Sequence, residues 1–417
     1  MLTSVELMRC DRADGRRMLD HLRSSLRMPA FLVLLIPGLL FAGEWSGFVE
    51  GQIRYFTQDA IDEDQSDSSL SLALQPEYFH RWDNGNQSLL FIPFARLDSQ
   101  DDERSHGDIR ELIWTYAGDG YELRAGIGKV FWGVTEALHL VDVINQTDLI
   151  ENPDGEQKLG QPMLKLSLER DWGILDFYLL PGFRERTFPG QEGRLRTHPR
   201  VDSDRALYES DREERHLDLA LRWSHYIGDW DLGLSHFSGT SRDPLFVPAL
   251  NASGEPVLRP FYEQMHQTGL DLQATKGDWL WKLEAIHRRS DSDRYNAATG
   301  GFEYTLVGIR DSAMDLGLLA EYLYDDRDDE ATTPFENDLF LGLRLTANDI
   351  AGSELLAGVI SDLDSSAALF NLEASRRIGN VWKASLQARL WLNVPQEDPL
   401  YGLRRDDYVE FTLARYF

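Results

Sequence analysis

The stretch DDYVEFTLARYF, residues 406–417, decides how the rest of the chain is read. After Asp406 and Asp407, the residues Val409, Phe411, Leu413 and Phe417 share one parity, with Arg415 its only polar member. Tyr408, Glu410, Thr412 and Ala414 occupy the other. Soluble domains usually end in a frayed polar tail, so an alternating strand that stops on an aromatic residue needs a partner. It is expected to be the closing strand of a β-barrel, paired with GFVEGQIRYF at 47–56.

The same period of two runs through the chain from Trp45 onward, and helical periodicity is almost absent. In LFLGLRLT (339–346) four leucines alternate with Phe340, Gly342, Arg344 and Thr346. HLDLALRW (216–223) and WKASLQARLWL (382–392) repeat the pattern. The alternating segments run to about 9–11 residues, the length that crosses a bilayer at a tilt; strands of soluble proteins average about 5–6. Short turns such as WDNGNQ (82–87) and TKGDW (275–279) alternate strictly with longer polar loops such as DSQDDERSHGD (98–108). Trp82, Trp172, Trp230, Trp279 and Trp382 flank the short turns, as an interfacial girdle would. The fold expected is all-β: a transmembrane antiparallel up-and-down barrel of about 18 strands, or about 16 if the segments near 302–310 and 353–362 are not strands. The polar parity then faces the lumen. Its charges of both signs give the pore-lining candidates Arg96, Glu122, Arg124, Lys165, Glu169, Arg222, Arg344 and Arg389, because such rows orient water and ions in pores; cross-strand ion pairs that stiffen a wide wall are an equal reading, and both can hold at once.

At 417 residues the chain could make two or three soluble domains or one large barrel. A formal charge of -28 excludes a basic nucleic-acid binder. Arg23 and Arg27 precede the apolar run FLVLLIPGLLFAG (31–43), which is too short to span a bilayer. Residues 1–43 therefore read as a signal peptide cleaved after Ala42 or Gly43, with an over-called start before Met18 or Met28. Residues 44–417 are the expected barrel. The single cysteine, Cys10, lies in the leader, so the mature chain would carry no thiol. No cofactor and no metal are expected. The acidic loops lack the sixth-position Gly and twelfth-position Glu of a calcium loop, and no Gly-rich phosphate loop or metal-spaced His pair occurs. Ser235 and His236 are neighbours on one strand and face opposite sides, so a hydrolase site is not expected and the chain is read as no enzyme.

One connection differs from the others. VFWGVTEALHLVDVINQTDLIENPDGEQK (130–158) is long yet rich in Leu, Val and Ile. An apolar loop in water is unfavourable, so this one should be buried. Leu138, Val141 and Ile144 have rough helical spacing, with Thr135 placed to cap, and Trp132–Gly133 marks the inward bend. GIGKVFWG (126–133), VDVINQTDL (141–149), GLSHFSGTSRDP (233–244) and the ending DPLYGLRRDDYVEFTLARYF (398–417) resemble uncharacterised Gram-negative porin-like outer-membrane proteins. The resemblance extends over most of the mature chain. It implies a cell outer-membrane location, a third loop folded into the lumen, and a channel for small hydrophilic solutes. Thr135, Glu136, His139, Asp142 and Asp148 would then form the constriction. Phe417 matches the terminal aromatic that barrel assembly machinery reads in such precursors. Outer-membrane lipid and lipopolysaccharide are the other implied partners. The alternatives are a plugged or structural barrel serving as adhesin or assembly partner, and an outer-membrane enzyme. Arg184, Arg186, Arg194, Arg196 and Arg200 make the fourth loop locally cationic, read here as a solvated surface.

Overall fold

The computed structural model describes residues 43–417. The signal-peptide reading of residues 1–43, with Cys10, lies outside the described residues except for Gly43. The first seven strands are β1 (Glu44–Phe56), β2 (Ser68–Trp82), β3 (Gln87–Asp98), β4 (Gly107–Gly118), β5 (Tyr121–Gly128), β6 (Gln161–Arg170) and β7 (Gly173–Pro181). After a short β8 (Leu207–Tyr208) come β9 (Leu217–Ile227) and β10 (Trp230–Thr240). Then β11 (Leu245–Leu250) and β12 (Pro256–Tyr262) lead into β13 (Gln264–Lys276), β14 (Trp279–Arg289) and β15 (Arg294–Leu306). The chain ends with β16 (Asp315–Asp325), β17 (Asn337–Thr346), β18 (Glu354–Asp362), β19 (Ala368–Ile378), β20 (Trp382–Leu392) and β21 (Tyr408–Tyr416).

Eighteen of these strands form one sheet in which each pairs antiparallel with its neighbours in sequence, while β8, β11 and β12 make a separate three-stranded sheet in the loops. The sheet closes where β1 meets β21, from Phe48 opposite Tyr416 to Phe56 opposite Tyr408. This answers the question raised by the terminal strand. A spanning sheet must pair every backbone N–H and C=O, since each orphan in hydrocarbon costs several kcal/mol, so no edge can be left. The seam is tight. Gly47 adopts φ 144°, and a Cβ there would come within 3.1 Å of the Phe417 ring on the seam side and 2.4 Å of the Gln75 carbonyl oxygen of β2. The Phe417 N–H donates to the Gly47 carbonyl at 3.0 Å. Inside the seam Arg54 Nε lies 2.7 Å from Glu410 Oε2.

Both doubtful segments are strands, β15 and β18, so the count is eighteen and not sixteen. The strict short–long alternation of connections does not hold everywhere. Connections 290–293 and 363–367 at the loop end are shorter than 307–314 and 347–353 at the turn end. The two ends nevertheless stay in step, because closure fixes strand direction and not loop length.

The barrel has its apolar parity outside. Val409 and Phe411 of β21, Leu341 and Leu343 of β17, and Leu217, Leu219 and Leu221 of β9 are exposed, whereas Tyr408, Glu410, Phe340 and Asp218 are buried. Shielding such side chains is worth roughly 1.5–3 kcal/mol each. A wall covered with them is stable in lipid, not water. At the turn end Trp172, Trp230, Trp279 and Trp382 are exposed, and the Trp279 ring lies 5.4 Å from Trp281 and 4.6 Å from Tyr304. That band suits the bilayer interface.

Candidate functional site in the barrel lumen

The third loop (129–160) leaves β5 and crosses the lumen to the far wall. Its polar groups are met there by two inward carboxylates. Glu284 of β14, fully buried, accepts the amides of Val134 at 2.7 Å, Thr135 at 3.0 Å and Val141 at 3.1 Å, with the Thr135 hydroxyl at 2.7 Å. Glu321 of β16 accepts the amides of Glu136 at 2.9 Å and Ala137 at 2.8 Å. The expected helix is therefore absent. Amides that would open it are satisfied by the wall, and Thr135 is an anchor rather than a helix cap. The Glu136 carboxylate continues the crossing to Arg344 of β17 at 2.6 Å and Lys282 of β14 at 3.5 Å.

His139 sits between Glu156, 3.1 Å away, and Glu284, 3.6 Å away. Burial alone would disfavour the imidazolium, but the two carboxylates outweigh it and push its pKa up to about 10. Asp142 does not face open water. It accepts the Trp132 amide at 2.6 Å and the Gly133 amide at 3.0 Å, pinning the loop's base. Gly133 has no room for a side chain, since a Cβ would lie 2.5 Å from His139 Nδ1. β5 already ends at Gly128, so the inward bend starts before Trp132, which packs edge-on against Tyr178 at 5.7 Å.

The return arm is tied to the near wall. Asp148, fully buried, meets Arg110 of β4 at 2.5 Å and the Thr187 hydroxyl at 2.7 Å. Glu151 meets Arg96 of β3 at 2.8 Å, and Asp154 meets Arg389 of β20 at 2.8 Å. Between the arms Val141, Val143 and Ile144 join a buried cluster with inward residues Met163, Tyr178, Phe237, Met265 and Ile286. An inner wall of a water-filled barrel should be polar; here it is apolar where the loop covers it.

The pore-lining candidates consequently divide. Arg96 is buried under Glu50 and Glu151, Arg389 under Asp154, and Arg222 is held two-pronged on Asp271 at 2.6 and 2.7 Å beside the Trp132 ring. Lys165 is paired with Asp176 at 3.2 Å. Glu122 and Arg124, 2.7 Å apart, remain partly open, Glu169 is exposed near a turn, and Arg344 is partly exposed. The anchoring role of Glu284, and the parts played by Glu321, Glu151, Arg104 and Arg110, were not legible in the sequence. One signal was present: Tyr178 and Leu180 put apolar residues on the polar parity of β7, which marks a covered stretch of wall.

The mouth is partly roofed. The fourth loop (182–216) reaches the closing seam, where Arg194 Nε binds Asp406 at 2.7 Å and the Gln65 amide donates to the Gly193 carbonyl at 2.7 Å. Leu195 joins Phe56, Trp391 and Tyr408 in a buried cluster. Arg184 pairs with Asp108, Arg186 with Asp243 and Arg196 with Asp62. These arginines staple loops together; they are not the merely solvated surface expected from sequence.

No family model matches the chain, and no curated protein matches it. Among solved structures, a triple-substituted variant of the Rh. blastica porin is 12% identical with a TM-score of 0.44, covering 90% of this chain and 100% of that one. A variant of the same porin with five substitutions gives 11% and 0.45 over the same shares. A loop-deletion variant of OmpT, an outer membrane protein of Vibrio cholerae, gives 9% and 0.44, again covering 90% and 100%. The barrel assignment rests on the strand pairing of this chain alone.

Proposed function

We propose that the protein is an outer-membrane channel for small hydrophilic solutes, narrowed by its third loop, and not an enzyme. One observation carries this reading. The loop is tethered to β14, β16 and β17 on one side and to β3, β4 and β20 on the other; towards β18 its Ala137 and Leu138 share an apolar cluster with Leu356 and Ile360, and among the described residues it makes no hydrogen bond or ion pair with β18 or β19, which leaves a gap in the tethering. Beside that gap the Glu373 and Glu156 side chains keep 45% and 52% of their surface in water, inside a barrel whose exterior is apolar. Water-facing carboxylates at that depth support an aqueous path. Ser235 is buried on the inner face while His236 is outside, hydrogen-bonded to Thr268 Oγ1 at 3.0 Å, which leaves no nucleophile–base pair there.

The fourth-loop roof favours a second reading, a sealed structural barrel. Planar-bilayer recording of purified protein separates the two: discrete conductance steps are expected, and a barrel that inserts silently would overturn the channel. Location and orientation are tested on intact Gram-negative cells. Cysteines at the exposed loop positions Asp64, Asp102 and Asp328 should react with an impermeant thiol reagent, and those at the turn positions Asn84 and Gly277 should not. Equal labelling of both sets would defeat the proposed orientation.

On this reading Phe417 is the residue handed to the assembly machinery, with lipid and lipopolysaccharide around the wall. Deleting Phe417 should cut the yield of membrane-inserted barrel several-fold, while Thr412→Ser on the inner parity of the same strand should leave it near normal. Equal yields would remove that role.

A further inference from the structure

The gap beside β18 and β19 has an electrostatic character of its own. Two of its cations stand behind its anions. Arg389 and Lys282 are each less than a tenth exposed, held on Asp154 and Glu136 respectively, whereas Glu373 and Glu156 present about half their surface to water. Arg344 is one-third exposed and is shared between Glu136 and Glu303, and His139 is engaged by Glu156. A mobile ion passing here meets carboxylate oxygens first.

The same column is acidic at the mouth. Asp338 of β17 and Asp362 of β18 face each other across the strand pair on the inner parity. Glu336 and Asp398 are close enough to act on Asp338 electrostatically. Asp338 is only 2% exposed, and its Oδ2 has no hydrogen-bond partner. Asp362 accepts the amides of Asp364 at 2.7 Å and Ser365 at 3.0 Å, and Asp398 accepts the Leu400 amide at 2.6 Å, so each is held by its own turn. A buried carboxyl facing further acids is relieved by taking up a proton or by positive charge drawn to it. No three of the described acids or histidines are arranged to hold a metal ion, so this is a field and not a fixed ligand set. Below the gap the charges are mixed, with Glu354 and Asp349 beside Lys383 and Arg377. By contrast, the arginine-rich wall of Arg54, Arg96, Arg104 and Arg110 is buried and paired under the third loop and the closing seam.

We propose that solutes cross along β19, past Glu373 and Glu156, and that this path selects small cations over anions. The inference rests on the channel reading above. Selectivity arises because the narrow stretch displays the Glu373 and Glu156 carboxylates while Arg389 and Lys282 are withdrawn into the wall, and charge close to a confined path is poorly screened.

The test is the reversal potential of the full-length protein in planar bilayers under a potassium chloride gradient. Wild type should pass potassium several-fold better than chloride in 0.1 M salt. The preference should shrink towards 1 M, where the screening length falls from about 10 Å to about 3 Å. The double variant Glu373→Gln with Glu156→Gln should lose most of the preference. Glu373→Asp should keep it, and Asp64→Asn on an outer loop should behave as wild type. The wild-type measurement needs no variant to fold. Conductance with anion preference, or with selectivity unmoved by the double variant, would overturn the cation path and leave the channel standing. Absence of any conductance would overturn both.

Discussion

Removing residues 135–154 while keeping Trp132 and Gly133 should raise single-channel conductance several-fold. Every part of that segment has a defined attachment inside the barrel: Thr135 and Glu136 to the far wall, Asp148 and Glu151 to the near wall, and Asp154 to β20. Its removal therefore clears the cross-section and not an outer surface. The barrel itself should survive, because its closure is carried by the β1–β21 ladder and by pairing along all eighteen strands. The wall charges released by the deletion, Glu284, Glu321, Arg96 and Arg110, would be solvated by incoming water and by one another across the lumen. The apolar patch of Met163, Tyr178, Phe237 and Met265 would become wet, which lowers stability without opening the sheet. The measurement is conductance per channel, with heat-resistant migration on gels as the check on folding. A correctly folded deletion variant with wild-type conductance would show that the third loop does not limit flow.

Glu284→Ala should release the loop without deleting it. The carboxylate gathers three amides and a hydroxyl from the loop and faces His139 as well. Taking away one partner of such a buried set leaves the donors unsatisfied and the imidazolium uncompensated, a loss of about 3–5 kcal/mol. If that loss appears as local opening, exchange of the Val134, Thr135 and Val141 amides should accelerate at least about a hundredfold. Strand amides of β1 and β21 should keep their protection. Current through the channel should become noisy, with excursions above the wild-type level, as the loop leaves the far wall intermittently. Unchanged exchange at the three amides would mean that packing of Val141 and Ile144 holds the loop by itself. Glu284→Gln is the milder companion: it keeps one acceptor oxygen for part of the set but sets an NH2 donor in place of the other and removes the counter-charge to His139, so it should fall between wild type and the alanine variant.

These two predictions rest on features of unequal visibility in the sequence. The barrel was legible because a spanning strand repeats one simple constraint. Each residue faces either lipid or lumen, so Leu339 to Leu345 and Val409 to Phe417 write the two faces out in alternation. The demand that no backbone group be orphaned then forces closure through the last strand. The inward third loop was legible for a similar reason, since its Leu, Val and Ile content could not remain in water. What the loop does once inside was not. The expected helix gave way to amides shared with Glu284 and Glu321, from strands more than a hundred residues away in the chain. Several charges expected to line open water, Arg96, Arg222 and Arg389 among them, turned out to be paired under cover.

The sequence by itself determined the period, the approximate strand count, the apolar exterior and the presence of a buried loop, because these follow from local alternation and composition. Only the tertiary structure decided which inward charges face water. Ion pairing is set by distance across the lumen, and residues that meet there, such as Asp154 and Arg389 or Arg194 and Asp406, are far apart in sequence and carry no local signature of each other. Charge balance along the strands is nearly even, so which sign confronts a solute depends on which partner is withdrawn into the wall, and that is a property of packing.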